Sequence, residues 1–224
     1  MKNFYTQLKK IIDHSILDIN YLDTKKDKSM LTENDLIVQE KIIILIKKFF
    51  PDVKQFICEE NFSLSKFKKI DFKKPFAVID PIDGTENFYA ENGMFGTLIS
   101  INSKFSKKID LIYLPAHNVL VTRENILSIY RKPKKNNNIT MLSTKCLKHN
   151  FTGSKYRMYG STAFSFYKLI TGEANEFIYC EGAKIWDCFT GLRLLKLINC
   201  KLMINNKNWK YKPKYKMKFK LRWN

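Results

Sequence analysis

The chain has 224 residues, 45% of them apolar, and a formal net charge of +19. That is enough apolar material for one compact unit with a sizeable core. No run is long and apolar enough to span a bilayer, and the charged N-terminus lacks a signal-peptide h-region, so no membrane partner and a cytoplasmic setting are expected.

The charge invites a nucleic-acid reading, but the basic residues argue against it. Only Arg123, Arg131, Arg157, Arg193 and Arg222 carry the bidentate fork that reads bases. The rest are Lys, scattered and often beside Asn. They read as a solvated surface with a general attraction for anions. The cysteines, Cys58, Cys146, Cys180, Cys188 and Cys200, are odd in number, with no C-x-x-C pair. Reduced, buried, hydrophobe-like roles are expected for them. His14, His117 and His149 have no ligand-spaced partner and read as ordinary residues.

In chain order, Phe4, Leu8, Ile11, Ile12, Ile16 and Leu17 recur near helical spacing and predict a helix over 4–21. The charged stretch 24–30 reads as a loop. Thr32-Glu33-Asn34-Asp35 fits a capping box and opens a second helix, which Pro51 ends. Short strands are expected near 55–58, 76–80, 96–102, 109–114, 118–122, 126–130 and 139–143. Gly160-Ser161-Thr162-Ala163 introduces a helix that Gly172 terminates. A strand at 176–180, a helix at 187–198 and a strand at 201–204 complete the folded part. The basic, aromatic tail 205–224 is expected to pack on the protein itself. The order suggests a single domain, α+β over about 1–140 and α/β over about 141–204.

Three segments carry chemistry. Asp80-Pro81-Ile82-Asp83-Gly84-Thr85-Glu86-Asn87-Phe88 follows the apolar strand Phe76-Ala77-Val78-Ile79. Pro81 interrupts the ladder and Gly84 permits a turn, so Asp80, the Ile82 carbonyl and Asp83 converge. Convergent hard oxygens suit Mg²⁺. Cys58-Glu59-Glu60-Asn61 ends another short strand. Trp186-Asp187 opens an apolar helical stretch, where Asp187 alone reads as an N-cap.

The acid pair, the Asp-Pro-Ile-Asp-Gly-Thr motif and the Trp-Asp pair, in this order, resemble the inositol monophosphatase family of lithium-sensitive, Mg²⁺-dependent phosphomonoesterases. The resemblance runs from about Leu31 to Leu202. It implies a layered α-β-α-β-α sandwich of the inositol monophosphatase and fructose-1,6-bisphosphatase type. It implies hydrolysis of a small phosphate monoester, inositol-phosphate-like, by metal-activated water, with two or three Mg²⁺ ions. Glu59, Asp80 and the Ile82 carbonyl would hold one ion; Asp80, Asp83 and Asp187 would hold a second. Glu60 would sit behind them or serve a weaker third ion. Asp35 with Thr85 would activate water. Gly84 and Thr85 would meet phosphate, and Ser161 and Thr162 would line the alcohol side. Lithium inhibition and homodimers are common in that family, although no interface is readable here.

The sequence also departs from the family pattern. An acid usually stands seven residues before the Trp-Asp acid, to bind sugar hydroxyls. That position is Cys180, and Glu181 is the nearest substitute. Lys184 adds positive charge near the ester. Family members also carry a Lys upstream of Asp35, for which Lys25, Lys26 and Lys28 compete. A histidinol-phosphate, sugar-bisphosphate or 3′-phosphonucleotide phosphatase on the same core is an alternative. A non-catalytic RNA- or protein-binding role for the basic surface is another.

Overall fold

The computed structural model describes residues 1–17, 21–24, 30–60, 62–134, 138–147, 155–204, 207–208 and 213–223. Lys25, Lys26, Lys28 and His149 lie outside them. The helices are α1 (Lys2–Ser15), α2 (Glu33–Phe49), α3 (Leu64–Lys68), α4 (Thr85–Tyr89), α5 (Ile126–Ile129), α6 (Thr162–Ile170) and α7 (Ile185–Leu197). The first strands are β1 (Tyr21–Thr24), β2 (Met30–Thr32), β3 (Gln55–Cys58), β4 (Phe76–Asp83), β5 (Gly96–Asn102), β6 (Ile109–Leu114) and β7 (Val119–Thr122). The later ones are β8 (Ile139–Leu142), β9 (Lys155–Arg157), β10 (Glu176–Lys184), β11 (Lys201–Ile204), β12 (Lys207–Asn208) and β13 (Lys216–Arg222).

A five-stranded sheet runs β3-β4-β5-β6-β7. Only its β3–β4 pair is parallel. A six-stranded sheet runs β12-β11-β13-β10-β8-β9. Apolar residues of α1 and α2, such as Phe4, Leu8, Ile42 and Ile46, pack with Ile79, Ile99 and Leu111 on one face of the first sheet. On its other face, Leu98 and Ile112 pack with Phe166 of α6, Leu192 of α7 and Phe177 and Phe219 of the second sheet. Among the described residues the layers are therefore two helices, a sheet, two helices and a sheet. Gly191 marks how closely the middle helices approach: a Cβ there would meet the Phe166 ring at 2.2 Å.

Four expectations need correcting. The first helix stops at Ser15, not 21, because Leu17 has no core to enter and stands 70% exposed. The chain then enters strand β1 at Tyr21, which pairs antiparallel with β2; the two strands flank the stretch read as loop, of which 25–29 lie outside the described residues. The strand expected at 126–130 is the single helical turn α5. Asn125 Oδ1 accepts the Thr122 N–H at 2.7 Å and closes a turn that β pairing cannot cross. Finally, 201–204 is not the last strand. Strand β13 inserts between β10 and β11, antiparallel to both. Met217, Phe219 and Leu221 point inward, while the alternating Lys216, Lys218, Lys220 and Arg222 are exposed. The expected self-packing takes the form of a central strand. The short α3 and β9 went unforeseen; Ser63 caps α3 by accepting the Lys66 N–H at 3.3 Å.

One buried charge cluster ties the first sheet to α7. Asp110 on β6 is fully buried. It meets Arg193 Nε of α7 at 2.8 Å and Arg123 at 2.5 Å. The Ser100 hydroxyl donates to it at 2.6 Å and lies 2.9 Å from the Thr190 hydroxyl. Removing the carboxylate strands a buried guanidinium, whereas Arg123 is partly exposed and dispensable by comparison. Asp110→Ala should cost about 3–5 kcal/mol in urea denaturation. Arg123→Ala should cost only about 1 kcal/mol. Equal losses for the two variants would contradict this assignment.

Candidate active site

The site begins where β3 and β4 end side by side. They are in parallel register up to Cys58 opposite Ile79. The Glu59 N–H donates to the Ile79 carbonyl at 3.2 Å, which delivers Glu59 next to Asp80. The charge of Glu59 there pushes the Asp80 carboxyl upward. Glu60 takes the alternate direction. Its N–H donates to Gln39 Oε1 at 3.0 Å, and Gln39 Nε2 donates to its carbonyl at 3.3 Å. Glu60 is buried behind the cavity wall, not in it.

The motif strand continues through Asp83, beyond the turn expected at Asp80. Its register with β5 slips between Asp80 and Asp83, which is a bulge. Pro81 offers no N–H to the ladder, and its carbonyl accepts from Thr97 Oγ1 at 2.8 Å. The extra residue lets Asp80, Ile82 and Asp83 all line one cavity. Gly84 follows at φ +87°. A Cβ there would lie 2.9 Å from Ser161 Cβ and 3.2 Å from the Met94 carbonyl. Only glycine allows both that backbone and that approach.

Asp83 is held from the far side. It accepts from the Ser161 hydroxyl, from Thr162 Oγ1 at 2.8 Å and from the Ala163 N–H at 2.7 Å. Ser161 is also the N-cap of α6, accepting the Phe164 N–H at 3.1 Å. Asn87 reinforces the approach, donating to the Tyr159 carbonyl at 2.6 Å. Thr162 Oγ1 also lies 2.7 Å from the Asp187 carbonyl. Ser161 and Thr162, expected on the alcohol side, do line the cavity, but their hydroxyls are engaged with the motif acid and α7.

Asp187 is the third residue of α7, not its cap. The cap position is Lys184, whose N–H donates to Asp187 Oδ2 at 2.7 Å. Glu59, Asp80, Asp83 and Asp187 thus face the same cavity of about 880 Å³, as do Thr85 and the exposed Glu181. Burial first, then the charges of Glu59, Asp83 and Asp187, hold the Asp80 carboxyl well above the usual carboxylate range. Burial and Glu59 do the same to Asp187. Burial also raises Asp83, against the pull of its hydroxyl and N–H donors. Among the described residues, Asp80 Oδ1 is buried with no hydrogen-bond partner. No three acidic, Cys or His side chains among the described residues close into a finished cage. The donor set is nevertheless all oxygen, mutually repulsive and short of one partner, which fits hard divalent cations.

Asp35 stands behind Thr85. Thr32 provides the capping box, its N–H and hydroxyl both donating to Asp35 Oδ2, at 2.8 and 2.6 Å. Oδ1 is left toward Thr85 Oγ1, 3.3 Å away. The same hydroxyl lies 3.1 Å from the Ile82 carbonyl, so its one proton is shared between two acceptors.

The opposite wall was largely invisible in the sequence. Ser143, Lys145, Tyr179 and Lys216 line the cavity, along with the anticipated Lys184. Burial and the charges of Asp187 and Asp83 push the Tyr179 hydroxyl up. The Ser143 N–H donates to the Ile178 carbonyl at 3.0 Å and folds this segment over β10. That brings Cys146 and Cys180 to a Cα separation of 5.2 Å, where they form a disulfide. Two of the five cysteines are therefore paired, contrary to the reduced reading. Cys58, Cys188 and Cys200 are free and buried, as expected.

Comparison with known proteins bears on the family and the fold. The chain is 30% identical over 95 residues to the 3′(2′),5′-bisphosphate nucleotidase CysQ of Haemophilus influenzae, covering 42% of this chain and 35% of that protein. It is 35% identical over 98 residues to the Nus factor SuhB of Pasteurella multocida, covering 44% and 35%. The matched region thus spans about a third of the length of these relatives. The fold is similar to a crystal structure of an IMPase/NADP phosphatase complexed with Mg²⁺ and phosphate, at 18% identity and TM-score 0.77, covering 98% of this chain and 87% of that one. It is similar to a staphylococcal inositol monophosphatase-1 soaked in LiCl, at 18% identity and TM-score 0.78, with the same coverage. The model of the inositol monophosphatase family matches residues 5–217, and the chain belongs to that family.

Proposed function

We propose that this chain is a Mg²⁺-dependent phosphatase that hydrolyses a small phosphate monoester. The observation that carries the reading is the four-carboxylate cluster, with buried Asp80 Oδ1 left unpartnered in the cavity wall among the described residues. Glu59, Asp80 and the Ile82 carbonyl would hold one ion, and Asp80, Asp83 and Asp187 a second. Bound there, divalent ions offset ester charge and supply an activated water.

The chain's own residues position the rest. Ser161, Thr162 and Ala163 fix Asp83, so that its carboxylate keeps one orientation. Thr85 and Asp35 form a proton path: Thr85 Oγ1 takes a proton from water as it passes its own to Asp35 Oδ1. When a cation engages the Ile82 carbonyl, the Thr85 proton has Asp35 as its acceptor. Metal binding and the dyad therefore support each other. Gly84 and Thr85 would meet the phosphate, and Glu181, at the cavity edge, would meet the alcohol. Glu60 is a positioning residue by this reading, since its backbone is locked to Gln39.

Phosphate release from a panel of monoesters tests the reading. Wild type should be active only with Mg²⁺, and Asp80→Asn should be inactive. Thr85→Ala should lose about 10²-fold in kcat or more. Undiminished turnover by Asp80→Asn would overturn the ligand assignment.

Stability gives a second, activity-independent check. Without metal the four carboxylates repel one another, so Asp80→Asn should raise the metal-free midpoint, by about 2–4 °C for each kcal/mol relieved. Mg²⁺ at a hundredfold excess over Kd should stabilise wild type by about 2.7 kcal/mol and the variant by far less. Thermal denaturation with and without Mg²⁺ reads both effects. A variant that loses stability in the metal-free state would contradict the repulsion argument.

A further inference from the structure

Among the described residues β3 is an edge strand, so only β4 pairs with it. The Glu59 N–H makes the last bond toward β4, on the Ile79 carbonyl at 3.2 Å. The peptide groups of Glu60 have no strand to meet, yet Glu60 is buried. Buried backbone groups need partners, and Gln39 of α2 supplies both. Its Oε1 accepts the Glu60 N–H at 3.0 Å, and its Nε2 donates to the Glu60 carbonyl at 3.3 Å. One primary amide thus stands in for a missing strand. Glu59 is held on both flanks, by β4 through its own N–H and by α2 through the residue that follows. Those pins fix the backbone from which its side chain enters the cavity. The same device recurs at the start of β3. Gln55 Nε2 donates to the Asp71 carbonyl at 2.9 Å, and Gln55 Oε1 accepts the Asp71 N–H at 2.9 Å. Neither Gln55 nor Asp71 lines the cavity. The chain therefore carries two matched amide clamps on one strand, one beside the carboxylates and one away from them.

We propose that Gln39 is a positioning residue for the metal site: by clamping Glu60 it fixes the direction from which Glu59 engages a divalent cation. The proposal rests on the phosphatase reading for Glu59 as a ligand. Without the clamp the Glu60 peptide groups must find other partners, and the Glu59 backbone gains freedom. Ordering it again on binding costs affinity. The loss falls on the metal, because Gln39 itself is behind the cavity wall and meets neither ester nor water there. Asp35 stands one helical turn before Gln39 and reaches Thr85, so one face of α2 serves both strand ends.

The test titrates the full chain with MgCl₂ in the absence of substrate, followed by calorimetry and by the thermal midpoint. The proteins are wild type, Gln39→Met, Gln39→Asn and Gln55→Met. Met keeps the length of the side chain and removes both hydrogen bonds. Gln39→Met should weaken Mg²⁺ binding by about tenfold or more, as when a metal ligand loses the group that orients it. Gln55→Met loses an equivalent clamp and should bind Mg²⁺ like wild type, whatever it costs in metal-free stability. Gln39→Asn keeps an amide but withdraws it by one methylene. It should lose affinity in the same direction by less, and it decides the matter if the Met variant does not fold. In turnover assays the Mg²⁺ concentration for half-maximal rate should rise by the same factor as the dissociation constant. Wild-type Mg²⁺ affinity in the Gln39 variants would overturn the positioning role while leaving the phosphatase reading intact. So would an equal loss in Gln55→Met, which would mark the effect as general destabilisation. Wild type that binds no Mg²⁺ would overturn both readings.

Discussion

The site depends on one clamp. Asp83 ends a strand of the first sheet, and Ser161, Thr162 and Ala163 begin the helix that packs against the second. Those bonds are buried, so each carries the cost of an unsatisfied charge if it breaks. Thr162 extends the clamp to the Asp187 carbonyl, at the head of α7. Everything that must converge on the cavity arrives from different parts of the chain, and Asp83 is where those parts are joined. Gly84 makes the junction close enough to work, since a side chain there would strike Ser161.

The clamp gathers carboxylates that would be more stable apart. Burial and mutual charge raise Asp80 and Asp187 far above ordinary carboxylates, and Asp80 keeps one oxygen buried and unpartnered among the described residues. A fold built for stability alone would replace such a group with something apolar. The contrast with Asp110 is instructive. It too is a buried acid, but two guanidinium groups and a hydroxyl satisfy it. One acid is a finished structural tie and the other is an unfinished site. The tie also anchors α7, whose first turn carries Asp187.

The parts of this design differed in how legible they were. Asp80, Asp83 and Thr85 could be read because a strand, a proline and a glycine fix their relation within a few residues. The capping box at Thr32 was equally local, but the pairing of Asp35 with Thr85 was implied by the family resemblance and not by the cap. The bulge was missed because Pro81 looks like a stop, whereas Thr97 satisfies its carbonyl and the strand goes on. Strand β13 was missed because its Lys residues disguise an alternating core strand. Lys145 and Lys216 could not be singled out, since a chain with 40 basic residues offers no contrast. The cysteine pair depends on a turn folding back over β10, which cysteine spacing does not encode.

The placement of β13 changes how the basic C-terminal region contributes. Its inward residues Met217, Phe219 and Leu221 complete the core between the second sheet and the middle helices. Its outward residues stay charged, and at its first position Lys216 meets Lys184 beside the cavity. One strand therefore supplies both packing and positive potential, and the alternation of side chains keeps the two roles on opposite faces. A net charge of +19 is a diffuse field over most of the surface and is screened within about 10 Å at moderate salt. At the cavity the sheet register fixes part of that field, pairing Lys216 with Lys184, whose charge counters the burial that raises the Asp187 carboxyl.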